Sequence, residues 1–69
     1  MILIKVGNKI RRIRIYRKIS QEELSFRSGV SRNYISDTER GTRNISILNL
    51  ERLSKGLNVD IKEFFTNHF

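Results

Sequence analysis

QEELSFRSGVSRNYISDTE, residues Gln21 to Glu39, is the stretch whose reading decides the fold of this 69-residue chain. It reads as two short helices that nearly touch. Ser20 is placed to cap the first, and Glu23 follows three residues later, the spacing of a capping box. Ile19 before the cap and Leu24 at the fourth helical position have the spacing of a hydrophobic staple. Gly29 then closes the helix, because the left-handed turn that ends it is resisted by residues with a β-carbon. The pattern repeats at once with Val30, a Ser31 cap, and Ile35 at staple spacing. The second helix therefore starts about three residues after the first stops. A corner this short leaves no room for an antiparallel pair, so the two helices cross steeply.

That geometry is the one a DNA-binding helix-turn-helix needs, with its second helix in the major groove. Gln21, Leu24, Ser25, Gly29-Val30-Ser31, Ile35-Ser36 and Glu39-Arg40-Gly41 resemble the Cro- and repressor-like (XRE-type) helix-turn-helix family of prokaryotic and phage transcriptional regulators. The resemblance runs upstream through Gly7, Ile10, Arg11 and Arg14. It runs downstream through Ser46, Leu50, Leu53, Leu57-Asn58-Val59 and Phe64-Phe65, and so covers nearly the whole chain. Two departures are Ser25, where the family usually carries Ala, and Gly56, where Ala is commoner. Both keep the side chain small, though a glycine there is expected to soften its helix. Within the family, RNISILNLERLSKGLNVDIKEFF (Arg43 to Phe65) is most similar to the small controller proteins of restriction–modification systems. The resemblance implies an all-α, compact five-helix domain like that of lambda repressor. The helix-turn-helix would lie at about residues 20–40 and a dimerisation region at about 45–69.

A chain of this length makes one domain and buries only about 60% of its unfolded surface, so a second copy would add needed apolar burial. With no cysteine, disulfides and thiolate metal sites are excluded, and with no proline nothing interrupts a string of helices. The apolar runs are far too short for a membrane span, and the start MILIKVGNK has neither the apolar core nor the cleavage site of a signal peptide. A cytoplasmic location is expected.

The net charge is +7, and it is unevenly placed. Residues 1–45 carry eleven bases and four acids, whereas residues 46–69 carry three of each. Basic surface that merely kept a small protein soluble would have no reason to gather in one part of the chain. A polyanion partner for the first part and a protein partner for the neutral, more apolar second part fit the split.

The first helix is expected from about Val6 to Lys18, with Ile10 and Ile13 in the core and Arg17 at the edge of that face. In the resembled family the arginine matching Arg14 pairs with the glutamate matching Glu39, which implies a structural ion pair tying the first helix to the end of the recognition helix. Gly41 is a C-cap candidate for that recognition helix. The fourth helix starts at a Ser46 cap with an Ile45/Leu50 staple, and Ile47, Leu50, Leu53 and Leu57 form its core stripe. Asn58 is a left-handed stop. A fifth helix starts at an Asp60 cap with a Val59/Phe64 staple. Leu48 lies off the core stripe, and Phe64, Phe65 and Phe69 crowd the end of the chain. Either two of these phenylalanines are core and Phe69 frays, or Leu48, Phe65 and Phe69 form a twofold dimer interface. The second reading accounts for the apolar surplus.

Arg32, Asn33, Ser36 and Asp37 share one face of the second motif helix, away from Ile35. Arg can bond guanine bidentately, Asn can do the same with adenine, and Asp can accept from cytosine. The resemblance makes these four the base-reading positions. Asp37, a carboxylate facing phosphates, has the alternative of orienting Arg32. Backbone contacts are expected from Gln21 at the start of the first motif helix, where the helix dipole favours phosphate. Arg27, Ser31, Tyr34, Thr42, Arg43 and Asn44 are the other candidates, and Arg43 is also placed to enter a narrowed minor groove.

These residues lead to a sequence-specific transcriptional regulator that binds double-stranded DNA as a homodimer on a palindromic operator. A controller protein would act on its own promoter and on a restriction gene. RNA polymerase is a further partner if the regulator activates, with Glu22 or Glu23 as the touching surface. The alternative is an antitoxin or adaptor that mainly binds another protein and uses DNA binding for autoregulation. No enzyme, cofactor, metal site or small-molecule ligand is expected. His68, the one histidine, sits near the terminus without a cysteine or acid cluster and reads as a solvated tail residue.

Overall fold

The computed structural model describes residues 1–66; His68 and Phe69, the latter assigned above to an interface, lie outside the described residues. Four α-helices follow one another: α1 Ile2–Tyr16, α2 Gln21–Ser28, α3 Arg32–Arg40 and α4 Ile47–Leu57. The expected fifth helix is a 3-10 helix, Ile61–Phe65. Its Asp60 cap accepts from the Lys62 amide, and the Glu63 amide donates to the Asp60 carbonyl at 2.9 Å. Five residues wound this tightly, ahead of extended Thr66, leave no length for an α-helical turn to propagate.

The serines act as their positions imply. Ser20, Ser31 and Ser46 each accept from the backbone N–H three residues on, at 3.0, 3.2 and 3.1 Å. Gly29 and Gly41 close α2 and α3 at φ +76° and +74°, and Asn58 closes α4 at +59°. The capping box is only half made: Glu23 turns outward and its carboxylate accepts from Arg27 Nε at 2.9 Å. Helix α1 differs from expectation at both ends. It begins at Ile2, where its first turn packs Ile4 against the Gly41 turn, and it ends at Tyr16 because Lys18 adopts a left-handed φ of +59°. The Ile19 amide then reaches back to the Arg14 carbonyl at 3.0 Å and satisfies a terminal acceptor of α1.

One apolar cluster joins all the elements. Val6, Ile10, Ile13, Ile19, Leu24, Val30, Ile35, Leu50, Leu53, Leu57 and Phe64 are buried in it. Ile47 is not: it is 80% exposed. Ile45, ahead of the Ser46 cap, packs against the core from the staple position, so the first turn of α4 has no core face left for Ile47. Two helix crossings are closer than side chains allow. A β-carbon on Gly7 would lie 2.0 Å from the Thr38 carbonyl oxygen, so α1 crosses α3 backbone to backbone. A β-carbon on Gly56 would lie 2.9 Å from Leu24 Cδ1, so this glycine answers a close approach of α2 to α4 rather than merely softening its helix. Both contacts fix the pose of the α2–α3 pair on the rest of the domain.

Candidate nucleic-acid interface

The pose of α3 is set from behind by Ile35, Thr38 and Glu39, all buried. Glu39 accepts from Arg14 Nε at 2.6 Å and from a terminal Arg14 nitrogen at 3.0 Å, a two-point contact. The other terminal nitrogen of Arg14 donates to the Ile19 carbonyl at 2.9 Å. Gln21 Nε2 donates to Glu39 Oε1 at 3.1 Å. Thus α1, the turn after it and the first residue of α2 all converge on the C-terminal end of α3. The Gln21 carboxamide is turned inward by this bond. What is left at this end of α2 are the backbone N–H groups of Gln21 and Glu22, since that of Glu23 is taken by the Ser20 cap.

The outward face of α3 begins with Arg32 and Asn33. Both are exposed, and among the described residues neither has a side-chain hydrogen-bond or ion-pair partner. Ser36 and Asp37, one turn on, are half-buried and already engaged. Ser36 Oγ accepts from Arg40 at 2.7 Å. Asp37 binds Arg40 through one carboxylate oxygen and Arg43 through the other, the second contact at 3.4 Å. It therefore orients Arg40 and Arg43, not Arg32. The sequence reading named Arg40 only as part of Glu39-Arg40-Gly41 and gave it no contact of its own. The signal was present, since Arg40 stands four residues after Ser36 and three after Asp37, both same-face spacings.

The loop after α3 is drawn onto the same surface. Thr42 donates to the Asp37 carbonyl through both its amide and its hydroxyl, each at 3.1 Å. The Arg43 guanidinium carbon lies 4.4 Å from the centroid of the Tyr34 ring, a cation–π contact. Tyr34 also packs on the core, and its hydroxyl oxygen accepts from the Ser46 amide at 3.1 Å, linking α3 to the start of α4. Burial pushes the Tyr34 hydroxyl pKa up, but hydrogen bonding from Asn49 and Ser46 and the Arg43 charge outweigh it, so it lies below the usual tyrosine value. Asn44 is exposed beside this loop. Ser31 spends its hydroxyl on the α3 cap, and Arg27 lies on α2 paired with Glu23. Arg32 and Asn33 at the start of α3, and Thr42, Arg43 and Asn44 in the loop after it, are thus all exposed.

Large apolar side chains are exposed outside this set as well, on α1, on α2 (Phe26), on α4 and on the 3-10 helix. Ile47, Leu48 and Phe65 are 80%, 52% and 56% exposed, on α4 and the 3-10 helix. Among the described residues no group of His, Cys, Asp and Glu side chains is arranged to hold a metal ion, and no helix is long and apolar enough to cross a membrane.

Comparison with known proteins matches residues 10–64 to the helix-turn-helix family. The chain is 48% identical over 63 residues to the control protein C.BamHI of Bacillus amyloliquefaciens, covering 90% of this chain and 78% of that protein. It superposes on the restriction-modification controller protein C.AhdI of Aeromonas hydrophila with a TM-score of 0.89, at 40% identity, covering 91% of this chain and 96% of that one. It also superposes on the controller protein C.Esp1396I, solved as a tetramer in complex with its natural 35 base-pair operator. That match has a TM-score of 0.84 at 38% identity and covers 96% of this chain and 97% of that one.

Proposed function

This chain belongs to the XRE-type helix-turn-helix family whose relatives include restriction–modification controller proteins, and we propose that it is itself such a controller, binding a palindromic DNA operator as a homodimer. The observation that carries the reading is the division of labour on α3. Ile35, Thr38 and Glu39 anchor the helix inward, while Arg32 and Asn33 stand exposed at its N-terminal end with no partner among the described residues. N-terminal residues of a recognition helix are the ones that reach base edges in the major groove. An arginine there suits guanine and an asparagine suits adenine. Around them, Thr42, Arg43, Asn44 and the Gln21 and Glu22 amides of α2 supply sequence-independent phosphate contacts that set register.

Reading a palindrome needs two copies. Ile47, Leu48 and Phe65 give the neutral end of the chain an apolar surface that a twofold partner would cover. Residues 45–69 then serve dimerisation and residues 20–40 serve DNA. With a protomer of 27 × 22 × 19 Å, two copies side by side can set their recognition helices about 34 Å apart, one turn of DNA. The activity is binding alone, with no chemical step, and it takes place in the cytoplasm with the DNA. The test is a titration of the purified protein against the DNA upstream of its own gene, with footprinting. Two protected half-sites about 10 base pairs apart are expected. Protection no stronger than on random DNA would overturn the proposal.

A further inference from the structure

We propose that Arg40 contacts a DNA phosphate and that Asp37 is a positioning residue that aims it, rather than a reader of cytosine. The inference rests on the DNA-binding reading of α3. It starts from a difficulty in that reading: a carboxylate on the groove-facing side of a helix is repelled by a polyanion. Here the carboxylate is already occupied. One Asp37 oxygen holds Arg40 and the other holds Arg43, so the group of three carries a net positive charge. An oxygen shared with a guanidinium is a poor acceptor for a cytosine amine, because the contact to be broken is charge-assisted.

Arg40 is held at two points, by Ser36 Oγ at 2.7 Å and by Asp37, yet its side chain remains 60% exposed. Two of its nitrogens are thereby used to fix direction, while a guanidinium has further N–H donors in its fork. It lies in the last turn of α3, where Gly41 ends the helix and the backbone folds away. From there a side chain reaches past the base edges towards the strand, whereas Arg32 and Asn33 at the opposite end of α3 reach into the groove. A pre-aimed arginine at the helix end is therefore a phosphate clamp. Ser36 and Asp37 are its supports.

The test uses the full-length protein with Arg40→Ala, Asp37→Asn and the double variant. Thermal melts serve as a check on folding, since Arg40 is exposed and Asp37 half-buried. Affinity is read on the upstream DNA, on single-base variants of it and on random DNA, each across salt. Arg40→Ala is expected to weaken all sequences alike and to lower the salt slope by about one. The loss of affinity between 50 and 200 mM salt then shrinks by about fourfold. Asp37→Asn is expected to tighten binding in the Arg40→Ala background, where there is no Arg40 left to aim and the carboxylate removed is held only by Arg43 at 3.4 Å. In the wild-type background it should gain less or lose, because the aim of Arg40 is lost with it. An unchanged salt slope in Arg40→Ala, or a loss confined to one G·C pair, overturns the phosphate contact. A loss from Asp37→Asn that is equal in both backgrounds and confined to one base pair makes Asp37 a reader after all. The salt slope on random DNA carries the Arg40 test even if the wild-type protein shows no preference for the upstream DNA, an outcome that would instead sink the regulator reading.

Discussion

Arg14 holds both carboxylate oxygens of Glu39, at 2.6 and 3.0 Å, across the gap between the first helix and the end of the recognition helix. The two side chains are only 13% and 3% exposed, so solvent does little to screen them. Such a pair can cost as much in desolvation as it gains in attraction, but breaking it leaves one charge buried and unpaired. Because Gln21 joins the same carboxylate, the pair also sets where α2 begins relative to where α3 ends.

Glu39→Ala is therefore expected to destabilise the fold by about 3–5 kcal/mol, with Arg14→Ala similar. The measurement is equilibrium unfolding in urea. A loss below about 1 kcal/mol would put the pair with solvent-exposed bridges and remove its role in fixing α3.

The glycines give a second, comparative prediction. Propensity alone favours Gly→Ala in a helix by about 1 kcal/mol. At Gly7 the obstacle to a β-carbon is the Thr38 carbonyl at 2.0 Å, which is backbone and cannot step aside. At Gly56 the nearest atom is Leu24 Cδ1 at 2.9 Å, the end of a flexible side chain. Gly7→Ala should cost about 1–3 kcal/mol net, while Gly56→Ala should fall within about 1 kcal/mol of neutral. Thermal melts of the two variants in parallel decide it, and a stabilised Gly7→Ala would mean α1 does not cross α3 this closely.

What the sequence disclosed follows the range of the interaction concerned. Caps and stops are local: Ser20, Ser31 and Ser46 each need only an amide three residues away, and Gly29, Gly41 and Asn58 need only their own φ. These were legible, as were the burials of Leu24, Ile35, Leu50 and Leu53 that follow from helical period. Ile47 was misjudged because the period places it on the stripe while the chain geometry gives its place to Ile45. The backbone contact at Gly7 carries no signal in a single sequence, because the atom it touches belongs to Thr38. On the candidate interface, composition suggested which residues could reach DNA, but not which were already paired. Asp37 has two arginines within reach of its oxygens, and only the fold shows that neither is Arg32.

Arg32→Ala separates base reading from charge. If Arg32 bonds guanine, the operator loses about 1–3 kcal/mol while random DNA loses much less. Arg43→Ala is the contrasting variant: stacked on Tyr34 and paired with Asp37, it should weaken all sequences similarly if its contact is to phosphate. A selective loss at central A·T pairs would show it reading minor-groove shape instead. Equal losses on operator and random DNA for Arg32→Ala would make Arg32 a phosphate contact too.

Leu48→Glu tests the proposed dimer. Leu48 is 52% exposed on α4, with Ile47 beside it at 80% and Phe65 on the 3-10 helix at 56%. In a twofold dimer a residue near the axis meets its own copy, so Leu48→Glu sets two like charges together and removes two apolar contacts. Nothing in the core depends on Leu48, since Leu50, Leu53 and Leu57 carry that face of α4. The variant should therefore be a helical monomer by sedimentation equilibrium and circular dichroism. It should also lose most operator affinity, because one recognition helix reads only half a palindrome. A variant that remains dimeric moves the interface off α4. One that unfolds shows that Leu48 contributes to the stability of the protomer itself.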